Sequence, residues 1–453
     1  MEKLNRLIAA AFLSLVSVTG CIENIDDPIK EDKTDVERFG EDFFTKYTDP
    51  VSGVVTYMFK NEAVGIGPCN TQGNYFNGKS MTDDGRFFFF FFSSKEKNGN
   101  SPAQKGGCVM DLEKRKLITF NGSSGCYPYL DPKEDKLYYF IMGAKTNSGK
   151  VRDNGYFMMK DLKKGETVRL ADFPSEIAPK GCYIQRALSH ITLTQDKKKV
   201  FIDAAINDVF YQGLLDLYTG EWTEWNRTST VHLTHGQLNP TRDDEALLAI
   251  DVWDKSDGEK IPIEYDPDGT YPRIQLMKPD GTRRTIKPSE NNYATHEGWC
   301  ADGNTIYFCA GMHLPNGEYS GGFHFRNVRT NDYTVIPVER STHGNPTKDL
   351  QYFVHDDDRP WGEYKTGYYR GGPWRVWFYN RKTGKDLAIF SGLKPITTPD
   401  KPSTIHPDPH PHFVCNDKYV ICSASDNEDG GNGFGYLHVC ITPVDQLIKL
   451  SSK

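Results

Sequence analysis

Histidines recur at the first position of a short repeat in this chain. The repeat consists of a polar residue and a strand-forming segment, then a turn that carries Asp, Asn or Gly, and then a run of strong strand formers. The seven first positions are Asn77, Tyr127, His190, His235, His296, His343 and His410. Five of them are histidines, although the whole chain has only 12. Neutral imidazoles that converge from separate segments are suited to binding a divalent metal and to general-base catalysis.

The third position of the repeat adds further polar and aromatic side chains, namely Lys79, Tyr129, Gln237, Asn345 and His412. Because side chains alternate along a strand, we expect these residues to face the same way as the first positions. On this pattern His410 and His412 share a face, bind one ion together with His296, and have His406 just upstream. Single histidines of the set, His343 or His190 above all, have the alternative role of hydrogen-bonding struts. Zinc with Cys300 as a further ligand is a second variant.

The elements that must position these residues are typical of a β-propeller. The chain has 453 residues, is 13% aromatic, and contains 41 Gly and 26 Pro, a composition rich in strand formers and turns. The repeats follow one another at intervals of roughly 45 to 65 residues, as blades with loop insertions do. Equivalent positions of successive blades lie on a ring around one axis. The sequence therefore predicts an all-β, seven-bladed β-propeller over residues 51–453, with the Phe run at 87–92 as a buried strand.

The N-terminus has the pattern of an export signal. Lys3 and Arg6 precede an apolar run, and a small residue then precedes Cys21. We expect residues 1–20 to be a bacterial lipoprotein signal peptide, Cys21 to carry the lipid, and residues 21–50 to form a flexible tether. An ordinary signal peptide with a chance Cys is the alternative. The protein would then be an exported lipoprotein of a Gram-negative bacterium, in the periplasm or outer membrane or at the cell surface, with the lipid as its only membrane contact.

Charge and motifs exclude several other functions. The net charge of −7 comes from 61 acidic and 54 basic residues without a basic block, which argues against nucleic acid as a partner. An anionic substrate would need local positive charge from a metal, Arg or Lys. The chain lacks a Gly-x-Ser-x-Gly elbow and a phosphate-binding loop, and no ring position holds the acids of a paired-carboxylate glycosidase. Disulfide pairing of the nine cysteines after Cys21 stays open.

Three motifs resemble the oligogalacturonate lyase family. They are Thr234-His235-Gly-Gln-Leu-Asn-Pro240, Thr295-His296-Glu-Gly-Trp299-Cys-Ala-Asp-Gly303 and His406-Pro-Asp-Pro-His410-Pro-His412-Phe. Members of that family are seven-bladed propellers that cleave oligouronides by β-elimination with a Mn²⁺-type ion. The resemblance implies that His296, His410 and His412 hold the metal and that His235 removes the proton at C5 of the uronic acid.

Two features depart from the family pattern. The family's fourth metal ligand, a Gln, falls on Pro407, so His406 or water takes its place, and Arg186 is the candidate for the catalytic Arg. We expect a divalent metal, Mn²⁺ first with Zn²⁺ or Ca²⁺ as alternatives, and a monomer that binds an anionic oligo- or polysaccharide. The residues expected to contact this substrate are Lys79, Tyr127, Tyr129, His190, Gln237 and His343.

Two other functions are also compatible with the sequence. One is a propeller lyase of the ulvan-cleaving type, in which Tyr127, Tyr129 and Tyr183 would share the acid–base roles with His. The other is a propeller that binds glycan or protein without catalysis. Such a scaffold has no need of convergent histidines. A metal requirement separates the first hypothesis from both alternatives.

Overall fold

The computed structural model describes most of the chain from Thr34 to the C-terminus. The described residues are 34–94, 105–120, 126–143, 155–263, 272–287, 293–313, 319–336, 338, 341–357, 375–393, 408–425 and 436–453. The predicted signal peptide, the predicted lipidation site Cys21 and the predicted ligand His406 lie outside these residues.

Seven antiparallel sheets are arranged as the blades of a β-propeller, which confirms the predicted fold class. Six of them have four strands each, given from the axis outward. Blade 1 contains Cys69–Gln72, Phe87–Ser94, Lys105–Asp111 and Lys116–Phe120; blade 2 Tyr129–Leu130, Lys136–Ile141, Tyr156–Asp161 and Thr167–Asp172; blade 3 Ile184–Arg186, Lys199–Ile206, Val209–Asp216 and Trp222–Thr228. Blade 4 contains Leu233–Leu238, Ala246–Ile250, Ile274–Met277 and Arg283–Thr285; blade 5 Tyr293–Trp299, Thr305–His313, Tyr319–Asn327 and Tyr333–Ile336; blade 6 Gly344–Pro346, Tyr352–Asp357, Arg375–Asn380 and Lys385–Phe390.

Blade 7 joins the two ends of the described chain in one sheet. Its strands are His412–Val414, Tyr419–Ser425 and Leu437–Pro443, followed by Val55–Phe59 and, outermost, Phe44–Thr48. The α-helices Asp35–Arg38 and Val444–Ser451, the 3₁₀ helix Asn61–Val64 and a small hairpin of Trp253–Asp254 with Lys260–Ile261 complete the elements. No helix among the described residues is both long and apolar enough to cross a membrane.

Residues 34–50, which the sequence predicted as part of the tether, are folded instead. Phe39 and Phe44 are only 2% and 1% exposed, and the Tyr419 hydroxyl donates a 2.8 Å hydrogen bond to Asp35. The polar residues around these two aromatics hid the strand, which pairs at the outer edge of blade 7 and so needs few apolar side chains of its own. The neighbouring strand Val55–Phe59 pairs with Leu437–Pro443 and so closes the ring of blades through both ends of the described chain.

The Phe run behaves as a buried strand, as predicted. Phe87, Phe88, Phe89 and Phe90 are 0% exposed, and they alternate between the packing layers on the two faces of blade 1. Burying each such ring stabilises the fold by about 1.5–3 kcal/mol. The cysteines at 69, 108, 126, 182, 300, 309, 415, 422 and 440 are all buried free thiols, so they contribute packing rather than cross-links.

Candidate active site

A ring of aromatic side chains surrounds the propeller axis, and the structure brings the five repeat histidines together in it. The ring centres of His296 and His343 are 4.1 Å apart, and those of His343 and His410 are 4.4 Å apart. On the other side His190 lies 5.9 Å from His235 and stacks on Tyr127 at 5.4 Å. Residues from six blades therefore meet at one place on the axis.

Blade 1 contributes Tyr75 to the ring, and not Asn77 as the repeat suggested. Gln72 pairs with Phe91, whereas the amide of Phe89 donates to the Ser80 carbonyl, so residues 73–79 form an excursion of the inner strand. This excursion carries Tyr75 to the axis, where its ring centre is 4.6 Å from that of His410 and 5.2 Å from that of His190. Burial raises the pKa of the Tyr75 phenol well above 10, so it stays protonated.

Three of the ring histidines adopt a left-handed backbone conformation. The φ angles of His235, His296 and His410 are 55°, 54° and 48°, and the inner strands of blades 4 and 5 shift register at this point. A residue other than Gly in this region costs about 1–3 kcal/mol, a strain that concentrates at functional sites. The shift also breaks the two-residue alternation. In these three blades the third-position residues therefore do not follow the first positions, contrary to the sequence-based expectation.

His412 shows the consequence of this break most clearly. Its Nδ1–H donates to the His410 carbonyl at 2.9 Å, and its Nε2 lies 3.0 Å from the Ser80 hydroxyl. Burial lowers the pKa of His412 to about 4, so the ring is neutral. Both ring nitrogens of His412 are thus occupied by hydrogen bonds within the protein. The structure therefore does not place a nitrogen of His412 beside His410 as a second metal ligand.

The group of side chains best suited to a metal consists of His343, Asp408 and His410. One donor atom from each lies within 4.8 Å of the others, and all three side chains are buried. Asp408 Oδ2 is 3.8 Å from His343 Nε2 and 3.9 Å from His410 Nε2. Two imidazoles and one carboxylate form a donor set that fits Mn²⁺ or Zn²⁺. We refer to these three residues as the His–Asp cluster.

A second layer orients the cluster. His343 Nδ1 lies 3.0 Å from Asp356 Oδ2, and the His343 amide donates to Asp356 Oδ1 at 2.8 Å. A carboxylate behind a histidine in this way fixes its tautomer and is typical of metal ligands. His296 stands beside the cluster. Burial, with help from His343, lowers the pKa of His296 well below 6.5, so it too is a neutral imidazole able to bind a metal.

His235 faces a different partner, the buried acid Glu297. Its Nδ1–H donates to Glu297 Oε1 at 3.3 Å, and Arg273 Nε donates to Glu297 Oε2 at 3.0 Å. Burial by itself would raise the pKa of Glu297, but Arg273 and His235 hold it well below its usual range. The side chain of His235 is 28% exposed. This geometry leaves Nε2 of His235 as the nitrogen available to a substrate in the channel.

Comparison with solved structures relates this arrangement to known proteins. The chain superposes on an oligogalacturonate lyase from Vibrio parahaemolyticus with a TM-score of 0.64 and 16% identity, covering 88% of this chain and 96% of that one. An oligogalacturonate lyase in complex with manganese gives a TM-score of 0.60 and 17% identity over the same shares. The chain shares the fold of these lyases. No protein-family profile matches the chain, and no curated protein matches it in sequence.

Arg186, the predicted catalytic Arg, forms its hydrogen bonds with residues outside the ring of histidines and Tyr75. Its guanidinium donates to the carbonyls of Asp203 and Leu233 at 3.1 and 3.0 Å and lies 2.7 Å from His232 Nε2. These contacts join blades 3 and 4. Arg273, not Arg186, contacts His235, with Nη2 3.3 Å from its Nδ1. Arg273 lies outside the repeat positions, where no sequence signal marked it.

The remaining predicted substrate residues occupy several places. Gln237 donates to the Glu297 carbonyl at 3.0 Å and so braces the backbone beside His235. Tyr127 and His190 stack within the ring, and His343 belongs to the His–Asp cluster. Lys79 and Tyr129 line a cavity further along the inner strands. The acids Asp408, Asp356 and Glu297 show that carboxylates do reach the ring, although no first position of the repeat holds one.

Proposed function

We propose that this protein is a lyase that cleaves uronic-acid glycans, oligogalacturonate first among them, by metal-assisted β-elimination to 4,5-unsaturated products. The observation that carries the proposal is the convergence of His343, Asp408 and His410 within one ring that also holds His235 backed by Glu297. Metal donors and a candidate base thus surround one axial site. The lyase fold agrees with this reading.

The proposed cofactor is a divalent metal, Mn²⁺ before Zn²⁺ or Ca²⁺, because one of the lyases of this fold is a manganese complex. We assign His343, Asp408 and His410 as its ligands, with His296 adjoining. When bound, a divalent metal offsets the charge of the substrate carboxylate and of the carbanion that forms beside it. This supplies the local positive charge that a chain of net charge −7 needs for an anionic substrate.

The protein's own residues then move the protons. His235 Nε2 accepts the proton from C5, while Glu297 holds Nδ1–H and stabilises the imidazolium that results. The electron pair of the C5–H bond forms the C4–C5 double bond, and the bond from C4 to O4 breaks. The electron pair of the C4–O4 bond leaves with O4. Tyr75, which burial keeps protonated and which lies 6.4 Å from His235 between ring centres, donates its hydroxyl proton to the leaving oxygen and is reprotonated with the proton that His235 took up.

We further propose that the protein is exported and anchored through Cys21. This rests on the N-terminal pattern of a basic flank, an apolar run and Cys21. Expression in a Gram-negative host with radiolabelled palmitate tests it. The wild-type chain should carry label in the membrane fraction and a Cys21→Ser variant should not. Equal labelling of both chains would contradict the anchor.

The lyase proposal is tested by mixing the metal-loaded protein with oligogalacturonate and following the ultraviolet absorbance of the unsaturated product. We expect absorbance to rise with wild-type protein and with a His324→Gln control, which alters a buried histidine that contacts Tyr333 in blade 5. We expect His235→Gln to be inactive. If no uronic-acid glycan gives product with metal supplied, the proposal is wrong. Binding of glycan without product would favour a binding propeller.

A further inference from the structure

The propeller channel holds a cavity that the proposed reaction does not use. Its volume is about 390 Å³, within the range of about 300–1,000 Å³ that is usual for small-molecule sites. None of the residues that line it belongs to the His–Asp cluster. His235 and Tyr75 do not line it either. It is lined by residues such as Leu238 and Ala301, which follow the ring histidines along the inner strands. The cavity therefore lies beyond the ring, toward the end of the channel where those strands finish.

Lys79 gives this cavity a cation without an acidic partner. Its ammonium makes a single long contact of 3.5 Å, to the Phe413 carbonyl, and no carboxylate of the described residues forms an ion pair with it. Burial lowers the pKa of Lys79; the charge of Asp417 opposes this effect, Lys348 adds to it, and Asp83 opposes it more weakly. An ammonium that is desolvated and not neutralised favours an anion beside it.

The rim of the cavity adds to the positive character. Lys348 is exposed and also lines the cavity, and its ammonium donates to the Asn416 side chain at 2.6 Å. Asp417 also lines the cavity, and its carboxylate accepts a hydrogen bond from the Lys348 amide at 2.9 Å. Lys197, a third lining cation, is neutralised by Asp131 and Glu134. Lys79 and Lys348 are therefore the cations that an incoming anion meets.

A second, independent feature marks the inner end of the cavity. His190 lines it, is only 6% exposed, and its Nδ1 has no hydrogen-bond partner among the described residues. A buried nitrogen without a partner costs about 1–3 kcal/mol. Burial, with help from His235, lowers the pKa of His190 to about 3, so the ring is neutral and suited to a hydroxyl or water rather than to a second anion.

Aromatic surfaces complete the lining. Tyr129 and Trp299 are both half-buried at the wall, and the indole N–H of Trp299 is already directed to the Gln237 carbonyl at 3.3 Å. Both rings also pack against the hydrophobic clusters of their blades, so each offers the cavity only part of its apolar surface. Aromatic faces combined with few polar groups are typical of sites that hold the C–H faces of sugars.

We propose that this cavity is a binding site for a small hydroxylated carboxylate of the size of one or two sugar-acid units. The carboxylate lies against Lys79 and Lys348, a hydroxyl meets His190, and the ring packs on Tyr129 or Trp299. The site is separate from the His–Asp cluster. The choice of a sugar acid as its ligand rests on the uronic-acid substrate proposed above, whereas binding at this site needs neither the metal nor catalysis.

Calorimetric titration of the full-length protein with D-galacturonate tests this site. A chelator is present throughout, so that no metal site contributes to binding. We expect one molecule of D-galacturonate per chain and at least tenfold weaker binding of D-galactose, which lacks the charge. Lys79→Met should weaken D-galacturonate binding about tenfold or more, since a hydrogen bond to a charged group is lost. Lys116→Met, which removes an exposed charge from blade 1, should bind as the wild type does.

Lys348→Met provides a second variant at the exposed rim, where folding is not at risk, and should also weaken binding. Near-ultraviolet circular dichroism verifies that each variant is folded. Equal affinity of the wild type and both cavity variants would overturn the proposal, as would equal binding of D-galactose or no heat from D-galacturonate. None of these results depends on product formation, so a failure of the lyase proposal stays distinguishable.

Discussion

His343 Nδ1 lies 3.0 Å from Oδ2 of Asp356, a residue with 0% exposure. The proton on Nδ1 is thereby held by the carboxylate, and the lone pair on Nε2 points to the side where Asp408 Oδ2 lies at 3.8 Å. The pairing with Asp356 therefore favours His343 as a metal ligand, a role that the repeat alone did not suggest.

The first prediction separates His343 from His412. His343→Gln and Asp408→Asn should each lower bound metal to well under one ion per chain, because they remove donor atoms of the His–Asp cluster. His412→Gln, an equally buried change, should keep its metal because His412 is hydrogen-bonded to Ser80 and to the His410 carbonyl. Elemental analysis after dialysis against Mn²⁺ measures this. Loss of metal only in the His412 variant would favour the ligand set implied by the family resemblance.

The second prediction concerns the residue behind the ligand. Asp356→Asn should weaken metal binding about 10- to 100-fold, the usual effect of removing a carboxylate that orients a metal-bound histidine. Titration of Mn²⁺ into metal-free protein gives the affinity. Asp386→Asn is a matched control, since Asp386 contacts His355 on blade 6 in the same manner but lies at the outer strand. An unchanged affinity in the Asp356 variant would remove the argument for His343.

The third prediction follows from the buried pair of Glu297 and Arg273. Glu297→Gln leaves the Arg273 charge without its nearest partner and should lower the free energy of unfolding by about 3 kcal/mol at neutral pH. The folded protein holds the pKa of Glu297 below its unfolded value, so the stabilisation is complete above about pH 4.3 and declines as the pH falls below that value. The difference between wild type and variant should therefore shrink on acidification.

Chemical denaturation of both proteins at pH 7, 4 and 3 measures this effect. A Glu113→Gln variant is the control, since Glu113 pairs with Arg86 in a more exposed position and should change stability by less than about 1 kcal/mol. A difference between the Glu297 variant and wild type that stays constant with pH would show that Glu297 does not carry its charge in the folded state.

The fourth prediction addresses Tyr75 as the proposed proton donor. Tyr75→Phe keeps the ring that packs on His410 and His190 but removes the hydroxyl, so folding and metal content should not change. The rate constant kcat should fall about 100-fold or more, which is typical for the loss of a general acid. Initial rates over a range of substrate concentrations separate this from a change in KM. A rate equal to that of the wild type would exclude Tyr75 from proton transfer.

The repeat predicted the blades because every blade must bury the same kind of inner strand and turn. The same residue pattern therefore occurs seven times in the sequence. It also placed His235, His296, His343 and His410 near one axis, since equivalent positions of a propeller converge. The excursion that carries Tyr75 to the axis was not predictable, because the repeat was aligned on the turn that follows it. Arg273 was missed because it lies just before the third strand of blade 4, outside the repeat positions, and meets His235 only through the fold.

Side-chain direction was the part that the strand pattern got wrong. Strict alternation put His410 and His412 on one face, but the left-handed conformation of His410 turns the chain between them. A positive φ at a histidine has no sequence signature of the kind that glycine gives. His235 and His296 have φ angles of 55° and 54°. The repeat therefore placed both residues on the ring, but it could not predict which side chains they contact.

The central claim is that the His–Asp cluster and His235 act on one uronide. The most direct measurement follows unsaturated product from oligogalacturonate with metal-free protein, before and after Mn²⁺ is added, for wild type, His343→Gln and His235→Gln. We expect that only the wild type becomes active on addition of Mn²⁺, and that the His235 variant still binds the metal. Full activity of the metal-free wild type, or of the His343 variant, would contradict it.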